Sequence, residues 1–276
     1  MKLQFLGTAA AEGVPSLFCQ CEVCRKARER GGREIRSRSQ AIVNDRLMID
    51  FPCDTFSHVT QHGIDLSRVR NFLITHVHGD HTFPWELCNI RRGRAHFRED
   101  GIDGVHFYGS EDVAPRFEAQ IKEVVDRIHV HTVAPFAPFT VENMKITALK
   151  AKHGTAHPYI YMIEDGNSAM LYGHDTDVFC EETWEYLKGA SVVFDLVSLD
   201  CTGGAHEDLN YSGHMCLGRN ITCRNRMMEC GIANGDTVFV LNHFSHNGLN
   251  VNYLEFSQLA QQNGFEISYD GMTVEV

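Results

Sequence analysis

Short apolar runs of strand length, separated by polar turns, recur from one end of the chain to the other, with longer amphipathic stretches between them. In the first half the β-forming runs are Lys2 to Leu6, Ala41 to Val43, Arg46 to Ile49, Asn71 to Thr75 and Val105 to Tyr108. Asn44-Asp45 reads as a hairpin turn, since both residue types tolerate left-handed backbone. Helical patterns cover Asp54 to His62, Phe83 to Ile90 and Glu111 to Arg127. Strands follow at Val130 to Val133, Met144 to Ala151, Tyr159 to Glu164 and Ala169 to Tyr172, with a turn at Asp165-Gly166-Asn167. The last third predicts helices at Thr183 to Lys188, His214 to Cys230 and Val251 to Asn263, and strands at Ser191 to Leu196, Thr237 to Leu241, Glu266 to Tyr269 and Met272 to Val276. Several strands per helix in both halves predict two mixed sheets packed together and covered by helices on the outside, an α/β fold in four layers. With no internal repeat, low-complexity tract or linker, a single domain over 1–276 is expected.

Composition narrows the class. Hydrophobic residues make up 43% and charged residues 22% of the 276, enough apolar surface to offset ordering entropy. With 25 basic and 36 acidic side chains the formal charge is -11, which disfavours long nucleic acid as a partner but leaves small anions open if a metal supplies the charge. Met1 to Leu6 lacks a basic segment leading into a long apolar run, and no stretch approaches the roughly 18 apolar residues of a membrane span, so a soluble, cytoplasmic protein without a membrane partner is expected. In that setting the 10 cysteines should be reduced and mostly buried. The 16 histidines fall in sets: His76, His78 and His81; His153 and His157; His243 and His246.

The run Thr75-His76-Val77-His78-Gly79-Asp80-His81 follows the apolar strand Asn71 to Ile74. A strand end followed by a tight turn at Gly79 can aim three imidazoles and a carboxylate at one point, a donor set suited to Zn, Mn or Fe. One ion does not readily use all four, so a binuclear centre accounts for them better. Further candidates repeat the strand-then-ligand pattern: His153 after Ile146 to Ala151, Asp175 after Met170 to His174, and His243 after Val238 to Asn242. Separately, Cys19-Gln20-Cys21-Glu22-Val23-Cys24 places three thiols within six residues, the spacing of a zinc knuckle, inserted near 19–24. His246, three residues past His243, is the expected fourth ligand, so one loop would serve both metal sites.

This H-x-H-x-D-H run, with a later His, Asp and His, resembles the metallo-β-lactamase superfamily of hydrolases, and the resemblance extends from the first strand to the last. It implies the αββα metallo-β-lactamase fold and two divalent metals, Zn or Mn, with His76, His78 and His153 on one, Asp80, His81 and His243 on the other, and Asp175 between them. Asp50, at the end of Leu47 to Ile49, matches an early strand-end aspartate that orients a ligand histidine. The C-x-C-x2-C and H-x2-H pair narrows the resemblance to the branch of the cyclic phosphodiesterase of the carbon-phosphorus lyase pathway. Gly7-Thr8, Gly13-Val14-Pro15 and Asp270-Gly271-Met272 match as well. The chain departs from that branch at Arg91 to Gly104 and at His153 to Tyr159, where His157 becomes a candidate substrate contact.

The resemblance makes His214, at the start of the predicted long helix, the proton donor to a leaving alkoxide, alongside Asp80 and Asp50 as catalytic carboxylates. It implies a phosphodiesterase acting on small, including cyclic, phosphodiesters or nucleotides. Alternatives are a tRNA 3'-processing nuclease, a lactone, thioester or β-lactam hydrolase on the same centre, and a non-catalytic metal-binding protein resembling the pyrroloquinoline quinone biosynthesis B protein. A homodimer stays open. The seven basic residues of Arg25 to Arg38 read as a solvated helical face rather than a nucleic-acid patch, and Arg91, Arg92 and Arg94 as candidate phosphate contacts. No phosphate loop of the G-x4-G-K-[ST] type occurs, which speaks against kinase or motor chemistry.

Overall fold

The computed structural model describes every residue except 92, 97–103, 123 and 125, together with all but the side chain of 119. Among the described residues the strands form two seven-stranded sheets. The first contains β1 (Lys2–Gly7), β2 (Gln40–Val43), β3 (Leu47–Ile49), β4 (Asn71–Leu73), β5 (Val105–Gly109), β6 (Ile128–Thr132) and β14 (Thr273–Glu275), ordered β14-β1-β2-β3-β4-β5-β6. The second contains β7 (Phe139–Val141), β8 (Met144–Lys150), β9 (Tyr159–Glu164), β10 (Ala169–Gly173), β11 (Leu196–Asp200), β12 (Val238–Asn242) and β13 (Glu266–Ile267), ordered β13-β12-β11-β10-β9-β8-β7. Each sheet changes from antiparallel to parallel pairing part-way, at β3-β4 in the first and β10-β11 in the second.

Between the sheets lie Leu3, Phe5, Ile49, Leu73, Tyr161 and Val240, all inaccessible. Helices α1 (Glu22–Arg30), α2 (Thr55–Gln61), α3 (Val113–Ile121), α4 (Glu181–Gly189), α5 (Leu217–Glu229) and α6 (Tyr253–Gln262) complete the fold. Trp184, Met227 and Phe256 bring α4, α5 and α6 onto the outer face of the second sheet, and Phe117 brings α3 onto that of the first. This is the expected αββα sandwich. The 44–45 turn forms as expected, both residues having positive φ (50° and 55°) with Arg46 N–H donating to Val43 O.

Four departures from the sequence reading stand out, and the first two bear on the site. The strand expected at Ser191 to Leu196 is instead Leu196–Asp200, shifted because Val192 and Phe194 pack against the core from a loop while Val193 faces solvent. The helix expected from His214 begins at Leu217, leaving His214 in the preceding loop. Phe83 to Ile90 is a 3-10 segment, Pro84–Ile90, and the helix expected over Glu111 to Arg127 is described as helix over Val113–Ile121 alone. The basic stretch is also more than a solvated face. α1 ends at Arg30, and Arg36 is buried, donating to Thr8 Oγ1 (2.9 Å) and Ser268 O (2.6 Å) beneath the ring of Phe244. All ten cysteines are free thiols as expected, but contrary to expectation only Cys24, Cys201, Cys216 and Cys223 are buried. Among the described residues no helix is long and apolar enough to cross a membrane.

Candidate metal centre

The strand ends that carry the candidate ligands meet at one edge of the sandwich. Asp50, Asp175 and His243 each follow a strand directly or by one residue and each has left-handed backbone, with φ of 68°, 52° and 63°. Such backbone is costly for non-glycine residues and collects at functional sites, where surrounding contacts hold it in place. Here it turns each side chain off its strand and into the cluster. The 75–81 loop is pinned from the opposite sheet by Tyr161 Oη donating to Ile74 O (2.6 Å) and Tyr159 N–H donating to Thr75 O (2.8 Å). Within the loop, His81 and Thr82 N–H groups both donate to His78 O.

Two sets of donors emerge. His76 Nε2 and His153 Nε2 lie 3.0 and 3.1 Å from His78 Nδ1, bringing three imidazoles together. Asp80, His81 and His243 form the second set. Asp175 stands between, with Oδ1 3.4 Å from His153 Nε2 and Oδ2 2.9 and 2.7 Å from His81 Nε2 and His243 Nε2. Asp50 Oδ2 accepts from His81 Nδ1 (2.7 Å), while Thr75 N–H and Oγ1–H occupy Oδ1 at 2.8 and 2.9 Å. That bond fixes the His81 ring with Nε2 facing Asp175.

The donor atoms fit a cation. His81 Nε2, His243 Nε2 and Asp175 Oδ2 are buried and close together, yet none makes a hydrogen bond of acceptable direction. Buried polar atoms converging in this way are costly unless an ion or water sits among them. The electrostatics agree. Burial opposes charge on His81 and His243, but Asp175, with Asp50 beside His81, outweighs it, lifting His81 well above the ordinary imidazole range and His243 to about 10. His76 and His153, by contrast, are lowered chiefly by burial, which keeps them neutral and able to donate a lone pair.

Asp200 is the residue the sequence reading missed. It ends β11, is fully buried, and gathers the N–H groups of Asp175, Thr202 and Met215 at 3.2, 3.0 and 2.8 Å. His214 Nδ1 lies 3.0 Å from Asp200 Oδ2, and His243 Nδ1 lies 2.9 Å from Thr202 Oγ1 and 3.3 Å from Asp200 Oδ2. Its signal is that of another strand-end acid, but the local apolar run places the strand end at Leu196 rather than Asp200. His214 packs against the rings of His153 (centroids 4.9 Å) and His243 (5.6 Å). Burial works against its charged form, yet Asp200 raises its pKa above the ordinary value. Gly213, with φ of 104°, directs its carbonyl to His153 Nδ1 (2.9 Å), so one loop supports both histidines.

The other candidates lie apart from this cluster. His157 is half-exposed, with Nδ1 3.0 Å from Asp112 Oδ2 and Nε2 3.3 Å from Glu111 Oε1, and it borders a cavity of about 530 Å³ with Lys150 and Tyr159. Arg94 contacts Cys88 and Asn89 locally, and Arg92 lies outside the described residues. At the knuckle, His246 Nδ1 is 3.5 Å from Cys19 Sγ and 3.6 Å from Cys21 Sγ, with Cys24 completing the group. Tetrahedral zinc, with Zn–S near 2.3 Å and Zn–N near 2.0 Å, separates such atoms by about 3.5 Å. Burial pushes the Cys24 thiol up to about 12, whereas the Cys21 N–H lowers that of Cys19.

A family profile described as beta-lactamase superfamily domain matches residues 49–244, a span that includes every active-site candidate. Ribonuclease Z of Listeria innocua is 29% identical over 161 residues, 56% of this chain and 46% of that protein, so the match spans about half of the relative's length. An octanoyltransferase of Porphyromonas gingivalis is 25% identical over 205 residues, 70% of this chain and 38% of that protein. Among solved structures, a diphosphatase from the PhnP family superposes with a TM-score of 0.76 at 20% identity, covering 100% of this chain and 97% of that one. Zinc-bound PqqB from Methylobacterium extorquens gives 0.71 at 17% identity, covering both chains in full at 100%. The human short-form tRNase Z gives 0.64 at 17% identity, with coverage of 100% and 99%. With its αββα sandwich and its His/Asp cluster at the strand ends, the chain belongs to the metallo-β-lactamase superfamily of hydrolases.

Proposed function

We propose that the chain is a binuclear-metal phosphodiesterase acting on small, including cyclic, phosphodiesters or nucleotides, and that it works as a single unit over 1–276. His76, His78 and His153 would hold one divalent metal, Asp80, His81 and His243 the other, with Asp175 shared and a structural zinc on Cys19, Cys21, Cys24 and His246. When bound, such a pair, Zn or Mn, supplies activated water and withdraws charge from a phosphoryl oxygen. The observation that carries the reading is the seat of His214. Its Nδ1 is held by buried Asp200 and its ring lies against both His153 and His243, leaving Nε2 as the atom to hand a proton to a departing alkoxide. Asp50 keeps His81 in register through Nδ1, and Gly213 does the same for His153. His157, tied to Glu111 and Asp112, would bear on which substrate enters.

The ribonuclease Z likeness favours a second reading, tRNA 3'-end processing. Against it stands the charge of -11, which repels a long polyanion. The test is a panel of bis(p-nitrophenyl) phosphate, 2',3'-cyclic nucleotides, a cyclic ribose phosphate, a lactone and pre-tRNA, assayed with Zn and with Mn. Turnover of the small diesters in preference to pre-tRNA and lactone is expected. Cleavage of pre-tRNA with little action on the small diesters would transfer the assignment to the nuclease. Within the panel, His214→Ala should keep its active-site metals but lose about 10²- to 10⁴-fold on poor alkoxide leaving groups, and much less on p-nitrophenolate.

A further inference from the structure

One guanidinium grips the segment that leads into Gly213 and His214. Arg219, in the first turn of α5, reaches back over the loop as helical side chains do. Its Nε meets Asp208 Oδ1 at 2.7 Å, its Nη2 donates to Leu209 O at 2.7 Å, and its Nη1 serves Tyr211 O and His214 O at 3.1 Å each. The same Nη1 pairs with Asp177 Oδ1 at 2.9 Å. A cation at a helix N-terminus opposes the helix dipole, so this placement does not serve α5 itself.

Asp177 extends the network to the ligand loops. It lies two residues past Asp175 and is almost wholly buried. Its Oδ2 accepts from Ser212 Oγ (2.8 Å) and faces Lys152 Nζ (3.3 Å), while its N–H donates to Lys152 O (3.0 Å). Ser212 stands two residues before His214, and Lys152 one before His153. The Asp177–Arg219 pair therefore joins the segments bearing His153, Asp175 and His214, without an atom on the reacting groups.

We infer that Arg219 and Asp177 are positioning residues that set His214 for proton transfer. The inference rests on the proton-donor reading of His214. Only the planar fork of arginine reaches all these acceptors together, so lysine is not an equivalent.

The experiment measures rates on a p-nitrophenyl and an alkyl phosphodiester for Arg219→Ala, Arg219→Lys, Asp177→Asn, His214→Ala and the double variant His214→Ala/Arg219→Ala, with metal content and melting temperature for each. Arg219→Ala should keep its metals and lose about 10²-fold on the alkyl ester, the cost of a misplacement near 1 Å, but only a few-fold on the p-nitrophenyl ester. The double variant should be no slower than His214→Ala, because the arginine acts through that histidine. Added guanidinium should restore part of the rate of Arg219→Ala. Equal losses on both esters, losses that multiply in the double variant, or departure of metal would overturn the inference. If Arg219→Ala does not fold, Asp177→Asn and Arg219→Lys carry the same reading. A His214→Ala enzyme indifferent to the leaving group would remove the proton-donor reading and the pair's role with it, whereas a leaving-group effect in His214→Ala alone would remove only the pair.

Discussion

Asp50 illustrates how much a single buried carboxylate can decide. Fully buried and in left-handed backbone, it bonds at once to Thr75 and to the outer nitrogen of His81. Burial raises its pKa, and the contacts from His81 and Thr75 pull the other way. Its proposed work is orientation, so its loss should weaken metal binding rather than abolish it. Asp50→Ala should lower active-site metal affinity by about 10- to 100-fold, the usual cost of losing such a support. Competition against a chelator of known affinity measures this, and an unchanged affinity would assign Asp50 to folding alone. Asp175, which faces both donor sets, differs: Asp175→Ala should eliminate turnover while the fold persists.

Among the elements, α1 begins within the thiol cluster of Cys19, Cys21 and Cys24. Cys21 is its N-cap, the thiol accepting from Cys24 N–H at 3.5 Å, and α1 reaches α6 through Lys26 and Arg30, which both pair with Glu255. Those ion pairs are partly exposed and contribute little individually. The knuckle, by contrast, ties α1 to the loop of His243 and His246. Serine is the better N-cap but a poor zinc donor, so Cys21→Ser separates the two roles. One zinc equivalent per chain and several degrees of melting temperature should be lost, with activity falling as order near His243 declines. Full zinc content at wild-type stability would exclude a structural metal there.

For the whole molecule, acid stability offers a test away from the candidate metal centre. His58 on α2 is buried between Ser37 and Gln40, with Nδ1 2.6 Å from Gln40 Oε1 and Nε2 2.7 Å from Ser37 Oγ. Burial lowers its pKa to about 4 from the ordinary 6.5, against a small opposing pull from Asp54. The unfolded chain therefore takes up this proton first. The stability linked to His58 is complete above pH 6.5 and is lost as pH falls towards 4, a total of about 3 kcal/mol. Urea unfolding at pH 7, 6 and 5 should give a shallower acid decline for His58→Gln than for wild type, by up to about one proton per molecule. Parallel declines would contradict a buried neutral His58.

Local chemistry and period can be read along the chain: the alternating strands, the H-x-H-x-D-H turn, the thiol cluster, and the habit of placing a His or Asp where a strand stops. Tyr159–Glu164 was legible to the residue because its apolar run and its turn signals coincide. Whatever depends on partners distant in sequence emerges only on folding. β11 sits five residues later than its apolar run suggests because Leu196–Asp200 pairs in parallel with both β10 and β12, burying all five residues. That shift brings Asp200 to the strand end and beneath His214. His214 itself falls outside α5 because Asp200 accepts the Met215 N–H, and the helix starts only after Cys216. Arg219 and Asp177 gave no signal at all, since a lone Arg and Asp acquire meaning only when 42 residues of separation close to 2.9 Å. Spacing along the chain can mark a ligand, but the groups that aim it are set by packing, which no local pattern records.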